Sequence, residues 1–78
     1  MERKRYLELC QLNSVFRGSY VVYFNNAEYE PIEYSLSFDK KGNVVHTAVL
    51  HDHKANSVLH CFLSEVYEHE NEDNYQKN

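Results

Sequence analysis

Four of the chain's five histidines fall within seventeen residues, VVHTAVLHDHKANSVLH from Val44 to His60, and two of them flank an aspartate at His51-Asp52-His53. Imidazoles ligate zinc-class metals and exchange protons near neutral pH, so the stretch is read first for those two chemistries. On an extended strand His51 and His53 share one face about 6.5–7 Å apart. His60, on a returning strand, supplies a third imidazole if the register brings it opposite. A tetrahedral centre wants three or four such groups. Alternation sends Asp52 to the other face and Cys61 away from His60, which removes the obvious fourth ligand. The expectation is therefore no metal centre and no cofactor, with His51, His53 and His60 as the metal candidates to be tested. Two adjacent imidazoles oppose each other's protonation, so at least one is expected to titrate below its ordinary value and to weaken the fold in acid.

Covalent or acid–base catalysis needs a nucleophile, a base and an orienting group converging in a pocket. His60 and Cys61 are neighbours in sequence, which on a strand puts them on opposite faces. With only Gly18 and Gly42 in the chain there is no glycine-rich phosphate loop. The expectation is a non-enzymatic protein.

Charge narrows the partners. The net charge is −4, and Glu65, Glu68, Glu70, Glu72 and Asp73 against Lys77 account for all of it, leaving residues 1–64 balanced at seven basic and seven acidic groups. A neutral body lacks the basic footprint that phosphate-backbone binding demands. Arg3, Lys4 and Arg5 nevertheless form a local basic cluster at the wrong end of a helix for its dipole. Cys10 and Cys61 fit no metal or disulfide framework and read as reduced, buried small hydrophobes. No apolar run approaches the roughly 20 residues of a membrane span, and MERKRY has no apolar segment behind its charges, so the expected setting is soluble and cytoplasmic, without membrane contact.

The elements that must position these groups follow from periodicity. Tyr6, Leu9, Leu12 and Phe16 mark a helix over about residues 3–17, stopped by Gly18. From Ser19 the period becomes two, giving strands over about residues 19–67. Asn25-Asn26-Ala27 supplies a hairpin turn, because asparagine tolerates the left-handed conformation. Ile32, Tyr34, Leu36 and Phe38 alternate with Glu33, Ser35 and Ser37, and Pro31 marks an edge position, a strand start or a bulge. Asp39-Lys40-Lys41-Gly42-Asn43 and Lys54-Ala55-Asn56 turn the chain again. Both faces of the strand from Val44 to His53 are partly apolar, so its core face stays open. Elsewhere the two strongest apolar stripes are expected to meet: Ile32, Tyr34, Leu36 and Phe38 against Leu9, Leu12 and Phe16.

The reading is one domain over residues 1–68, α+β and mainly β, with an N-terminal helix before a four- to five-stranded antiparallel meander. Residues 69–78, HENEDNYQKN, form an acidic tail expected to be disordered. A helix followed by such a meander, with a tight step before the last strand, is the order of Sm-like and SH3-like small barrels, which serve RNA binding, peptide binding and scaffolding alike. At the residue level, Tyr29 and Pro31 ahead of the long strand, His46-Thr47-Ala48 with Leu50 and Asp52, and Ala55-Asn56-Ser57 ahead of Leu63 and Val66 carry a resemblance. The run they span, about half the chain, resembles small uncharacterised proteins encoded on conjugative transposons and related mobile elements of Firmicutes. That resemblance implies an accessory role on a mobile element and brings no chemistry with it.

Two functions follow. The first is a protein-interaction module whose exposed strand edge or helix face binds a partner protein, self-association through a strand edge included. The alternative is a nucleic-acid-binding barrel in which Tyr23 and Tyr29 stack on bases while Arg3, Lys4, Arg5, Arg17, Lys40 and Lys41 meet phosphates. The neutral body favours the first.

Overall fold

The computed structural model describes residues 1–69, so all but His69 of the expected tail lies outside the described residues. Among residues 1–69 one helix, α1 (Arg3–Val15), precedes the strands β1 (Val22–Phe24), β2 (Ala27–Phe38), β3 (Val44–Asp52) and β4 (Ser57–Phe62), and a 3-10 turn (Leu63–Glu65) leads into β5 (Val66–Tyr67). The strands form one antiparallel sheet in the order β4-β3-β2-β1-β5. The protein is thus α+β and mainly β, and the sheet is open, with β4 and β5 as its two edges. Among the described residues no helix is long and apolar enough to cross a membrane.

The helix ends two residues earlier than its periodicity suggests, and Gly18 at φ +83° reverses the chain in a conformation that costs glycine little. Its buried face consists of Tyr6, Leu9 and Asn13, a spacing of i, i+3 and i+7. At 3.6 residues per turn Asn13 lies about 20° round the helix from Tyr6, whereas Leu12 lies about 120° away. Leu12 is accordingly half-buried and Phe16 is 54% exposed, so the expected stripe through Leu12 and Phe16 is corrected.

The two-residue turn at Asn25-Asn26 has φ of 52° and 63°, the left-handed pair anticipated for asparagine, and it joins Phe24 to Ala27. In the β2–β3 loop the Asp39 carboxylate accepts from the Lys41 and Asn43 amides at 2.8 and 2.9 Å. Asp52 does the same for Lys54 and Ala55 before β4. These turns set the register of both hairpins.

The core departs from the expected one. It is built from Tyr6, Leu9, Val22, Ala48, Leu50, Leu63 and Val66, with Tyr34, Leu59, Cys61 and Cys10 packed at its margin. Ile32, Leu36 and Phe38 are 41%, 45% and 66% exposed. The cause is a bulge in β2. Pro31 pairs with Leu50 and Glu33 with Val49, leaving Ile32 as the extra residue. Beyond the bulge only Tyr34, opposite Ala48, reaches the core margin, while Leu36 and Phe38 run out opposite His46 and Val44 toward the hairpin end. Ala48 and Leu50 also resolve the core face of β3. Val49, on the alternate face, is buried as well.

Tyr6 packs against the sheet beside the bulge. Its ring is fully buried, and its hydroxyl donates to the Val49 carbonyl at 2.9 Å and accepts from the Glu33 amide. Burial, the largest cause, then the neighbouring Cys10 thiol, hold the phenol far above its ordinary pKa, so it stays a neutral donor. Both thiols are free and only half-buried. Burial lifts Cys61 to about 11.

Candidate functional site

Two features lie at opposite ends of β3. The first is a polar cluster around Glu30. Glu30 sits opposite His51 in the β2–β3 ladder, and His53, the first residue of the turn after β3, lies with its ring beside that of His51. The Glu30 side chain is only 5% exposed. Its Oε2 lies 2.9 Å from His51 Nδ1 and 3.1 Å from His53 Nδ1, and its Oε1 accepts from Asn13 Nδ2 at 3.1 Å. The Asn13 Oδ1 in turn accepts from the Gly18 amide at 3.2 Å, tying the chain after α1 to the sheet. His51 Nε2 meets Asn56 Oδ1 at 3.3 Å, and Asn56 holds φ +49° in the β3–β4 turn. The two imidazoles stand edge to face with centroids 5.8 Å apart.

The electrostatics follow from those contacts. The hydrogen bond from His51 holds the Glu30 carboxyl below the usual range against its burial, with Asn13 and His53 assisting. His51 is raised above its ordinary value, first by Glu30 and then by Asn56, while the charge of Arg17 opposes this. Of the two histidines, at least one of which was expected to titrate low, His51 is not that one, because the Glu30 carboxylate favours its charged form. The ligand set differs from the expected one too. Glu30, His51 and His53 bring their donor atoms within 4.8 Å of one another. His60 pairs with Val49 on β4, is exposed, and is not part of the group.

Glu30 and Asn13 were not legible as site residues. The signal available for Asn13 was its i+7 position relative to Tyr6, on the face that the helix must bury. For Glu30 the only signal was its place one residue ahead of Pro31. His53 also lines a cleft of about 370 Å³ with Tyr23, Tyr29, Asp52 and Lys54, so the cluster can be reached from solvent.

The second feature lies where β4 leaves the sheet. β3 pairs with β4 only from Thr47 onward, so Val44, Val45 and His46 have no β4 partner. Beside them is a groove of about 360 Å³ lined by Met1, Arg3, Val44, Val45, His46, Phe62, Leu63 and Ser64. The 3-10 turn draws β4 away, and the α-amino group of Met1 donates to the Leu63 and Val66 carbonyls, which seats the start of α1 along the far wall. Phe38, Val44 and Phe62 are 66%, 49% and 57% exposed around this end. Tyr34 stacks on His46 nearby and its hydroxyl bonds Nδ1 of that ring.

The residues considered for nucleic acid do not converge on one surface. Arg3 and Lys4 open α1, and Lys40 and Lys41 sit in the loop leading into Val44. Arg17 lies beyond the other end of the helix, on the side of His51, roughly 20 Å from Arg3 by helical rise. Arg5 is engaged by Glu68 in a two-pronged ion pair at 2.9 and 2.7 Å, which holds the Glu68 carboxyl low. Tyr29 packs against Phe24 at 6.3 Å and against the core. Tyr23, half-buried, pairs with Glu28 and Tyr67 in the sheet.

Comparison of the chain with protein-family models, with curated proteins and with solved structures finds no match. The class defined by the fold is a helix on a five-stranded antiparallel sheet, and function has to be argued from the two sites.

Proposed function

We propose that the chain is a non-enzymatic protein-interaction module that accepts an extended segment of another protein along the open edge of β3. The observation carrying this reading is the unpaired stretch Val44–His46 beside the groove. An unpaired strand edge offers backbone donors and acceptors to an added strand, and pockets along it select alternate side chains. The walls here are apolar through Val44, Phe62 and Leu63, and Arg3, with Lys40 and Lys41 in the adjoining loop, gives the rim positive charge. The matching ligand is an extended segment alternating apolar and acidic residues. Half-exposed Phe38, Val44 and Phe62 add roughly 250 Å² of apolar surface, toward the size at which patches on small proteins mark binding sites.

In this reading the open sheet is an unclosed relative of the Sm-like and SH3-like small barrels, a likeness that rests on its strand order and on the 3-10 step before β5. The protein works in the cytoplasm, as an accessory of a mobile element. Nucleic-acid binding has less support, because Arg5 is paired and Arg17 lies at the far end of α1 from Arg3 and Lys4.

The test is fluorescence anisotropy with a labelled, capped alternating valine–glutamate hexapeptide and its valine–lysine counterpart. The acidic peptide should bind and the basic one should not, and Arg3→Glu and Phe62→Ala should each weaken binding about tenfold or more. Equal binding of the two peptides, or none, overturns the reading. Tight binding of an RNA or DNA oligonucleotide with a steep salt dependence would put the alternative in its place.

A further inference from the structure

The Glu30 cluster has a use that the strand edge does not touch. A carboxylate this buried is costly unless its charge is met, and the groups meeting it are two imidazoles whose charge is optional. Hydrogen-bond geometry sharpens the point. The Asn56 Oδ1 accepts, so the Nε2 of His51 carries a hydrogen. A neutral His51 then turns the lone pair of Nδ1 toward Oε2 of Glu30 at 2.9 Å. Two lone pairs facing at that distance need a positive particle between them, either a proton or a metal ion. His53 presents its own Nδ1 to the same oxygen at 3.1 Å.

We propose that Glu30, His51 and His53 form a binding site for a divalent zinc-class metal ion, ligated by Oε2 and the two Nδ1 atoms, with at least one position open to water. The donor set selects the metal. Two imidazoles and one carboxylate suit zinc and its neighbours, whereas magnesium and calcium prefer oxygen throughout. Bonds of 2.0–2.2 Å at tetrahedral angles separate ligand atoms by about 3.3–3.5 Å, so the contacts at 2.9 and 3.1 Å open by only a few tenths of an ångström. The surrounding groups are those a metal site needs. Asn13 fixes the free carboxylate oxygen and Asn56 fixes the tautomer and tilt of His51. Ladder register places Glu30 beside His51 on paired strands, and His53 comes from the first position of the turn that follows β3. The bound ion clips the end of β3 to β2 and, through Asn13, to α1.

The experiment uses the full chain, treated with chelator and dialysed. Calorimetric titration with zinc chloride should give one ion per chain with a Kd below about 10 µM. Melts at a hundredfold excess over Kd should rise by about 10 °C or more. Cobalt(II) should give visible d–d bands of the intensity typical of four- or five-coordinate sites. Glu30→Gln and His53→Ala should lower affinity at least tenfold, with circular dichroism verifying that each folds, while His60→Ala, His46→Ala and Asp52→Asn should bind like the parent. Because His51→Ala also removes the main partner of Glu30, the cobalt spectrum of the parent serves as the second readout for that ligand. Absence of one-to-one binding, octahedral cobalt bands, or affinity unchanged in Glu30→Gln overturns the site.

Discussion

Replacing Tyr6 by phenylalanine removes one oxygen atom from the centre of the molecule. The ring is fully buried, so nothing about its packing is expected to change. What is lost is the donor to the Val49 carbonyl at 2.9 Å and the acceptor for the Glu33 amide, two backbone groups beside the β2 bulge. A buried polar group left unsatisfied costs about 1–3 kcal/mol. Taking about 2 kcal/mol as the sum after some relaxation, and a Tm shift of about 4–8 °C per kcal/mol for a domain this small, the variant should melt about 8–16 °C below the parent. Urea unfolding should show the same loss with an unchanged m-value, because the surface exposed on unfolding is the same. A Tyr6→Phe protein that melts within about 2 °C of the parent would refute the reasoning, since the hydroxyl could not then be a needed partner of the buried Val49 carbonyl.

Three further outcomes follow. Leu50→Ala should cost about 2–5 kcal/mol by urea denaturation, as Leu50 is fully buried among Tyr6, Leu9 and Val66; Leu36→Ala, 45% exposed, should cost less than about 1 kcal/mol. In chelator-treated protein, the Glu30–His51 pair should give a stability maximum in mildly acidic solution. His51, raised in the fold, contributes fully below its ordinary 6.5 and loses that contribution as pH rises through its folded value; Glu30, lowered, contributes above 4.5 and loses it as pH falls. Melts from pH 4 to 8 check this, and His51→Ala should flatten the upper side. Asn13→Ala, which removes the only link from α1 to the Glu30 carboxylate among the described residues, should lower Tm by about 4–16 °C, read by the same melts.

The helix, the turns and the strand boundaries were readable because each rests on local chemistry. The asparagine pair at Asn25-Asn26 can take positive φ, Gly18 can reverse the chain after a helix, and Asp39 can cap its own loop. Pro31 pointed to an edge position, a strand start or a bulge, and the bulge falls on the next residue, Ile32. Its consequence was not readable. A bulge shifts strand parity, so Leu36 and Phe38 continue the apolar stripe beyond the area that α1 covers, and period two alone cannot say where a partner element stops. The helix stripe erred for a related reason. A polar Asn13 occupies the i+7 slot, and apolar residues at Leu12 and Phe16 drew the reading round to the wrong face.

Within the candidate site, the pairing of His51 and His53 followed from alternation on one strand, and their carboxylate partner did not. Glu30 is separated from His51 by a hairpin and a bulge, so only the register brings it opposite. The same limit hid the open edge at Val44–His46. Its exposure depends on where the 3-10 turn removes β4, a tertiary choice with no mark in the residues of β3 itself.

The central claim is that the open edge of β3 is the binding surface, and the most direct measurement is backbone amide spectroscopy of isotopically labelled protein titrated with the valine–glutamate hexapeptide. The largest shifts are expected on Val44, Val45 and His46, with Arg3 and Phe62 beside them, and the groove-facing amides of this stretch, fast to exchange in the free protein, should become protected on binding. Shifts confined to the outer surface of α1, or to the edge of β4 around Val58, with Val44–His46 unmoved at saturation, would contradict it.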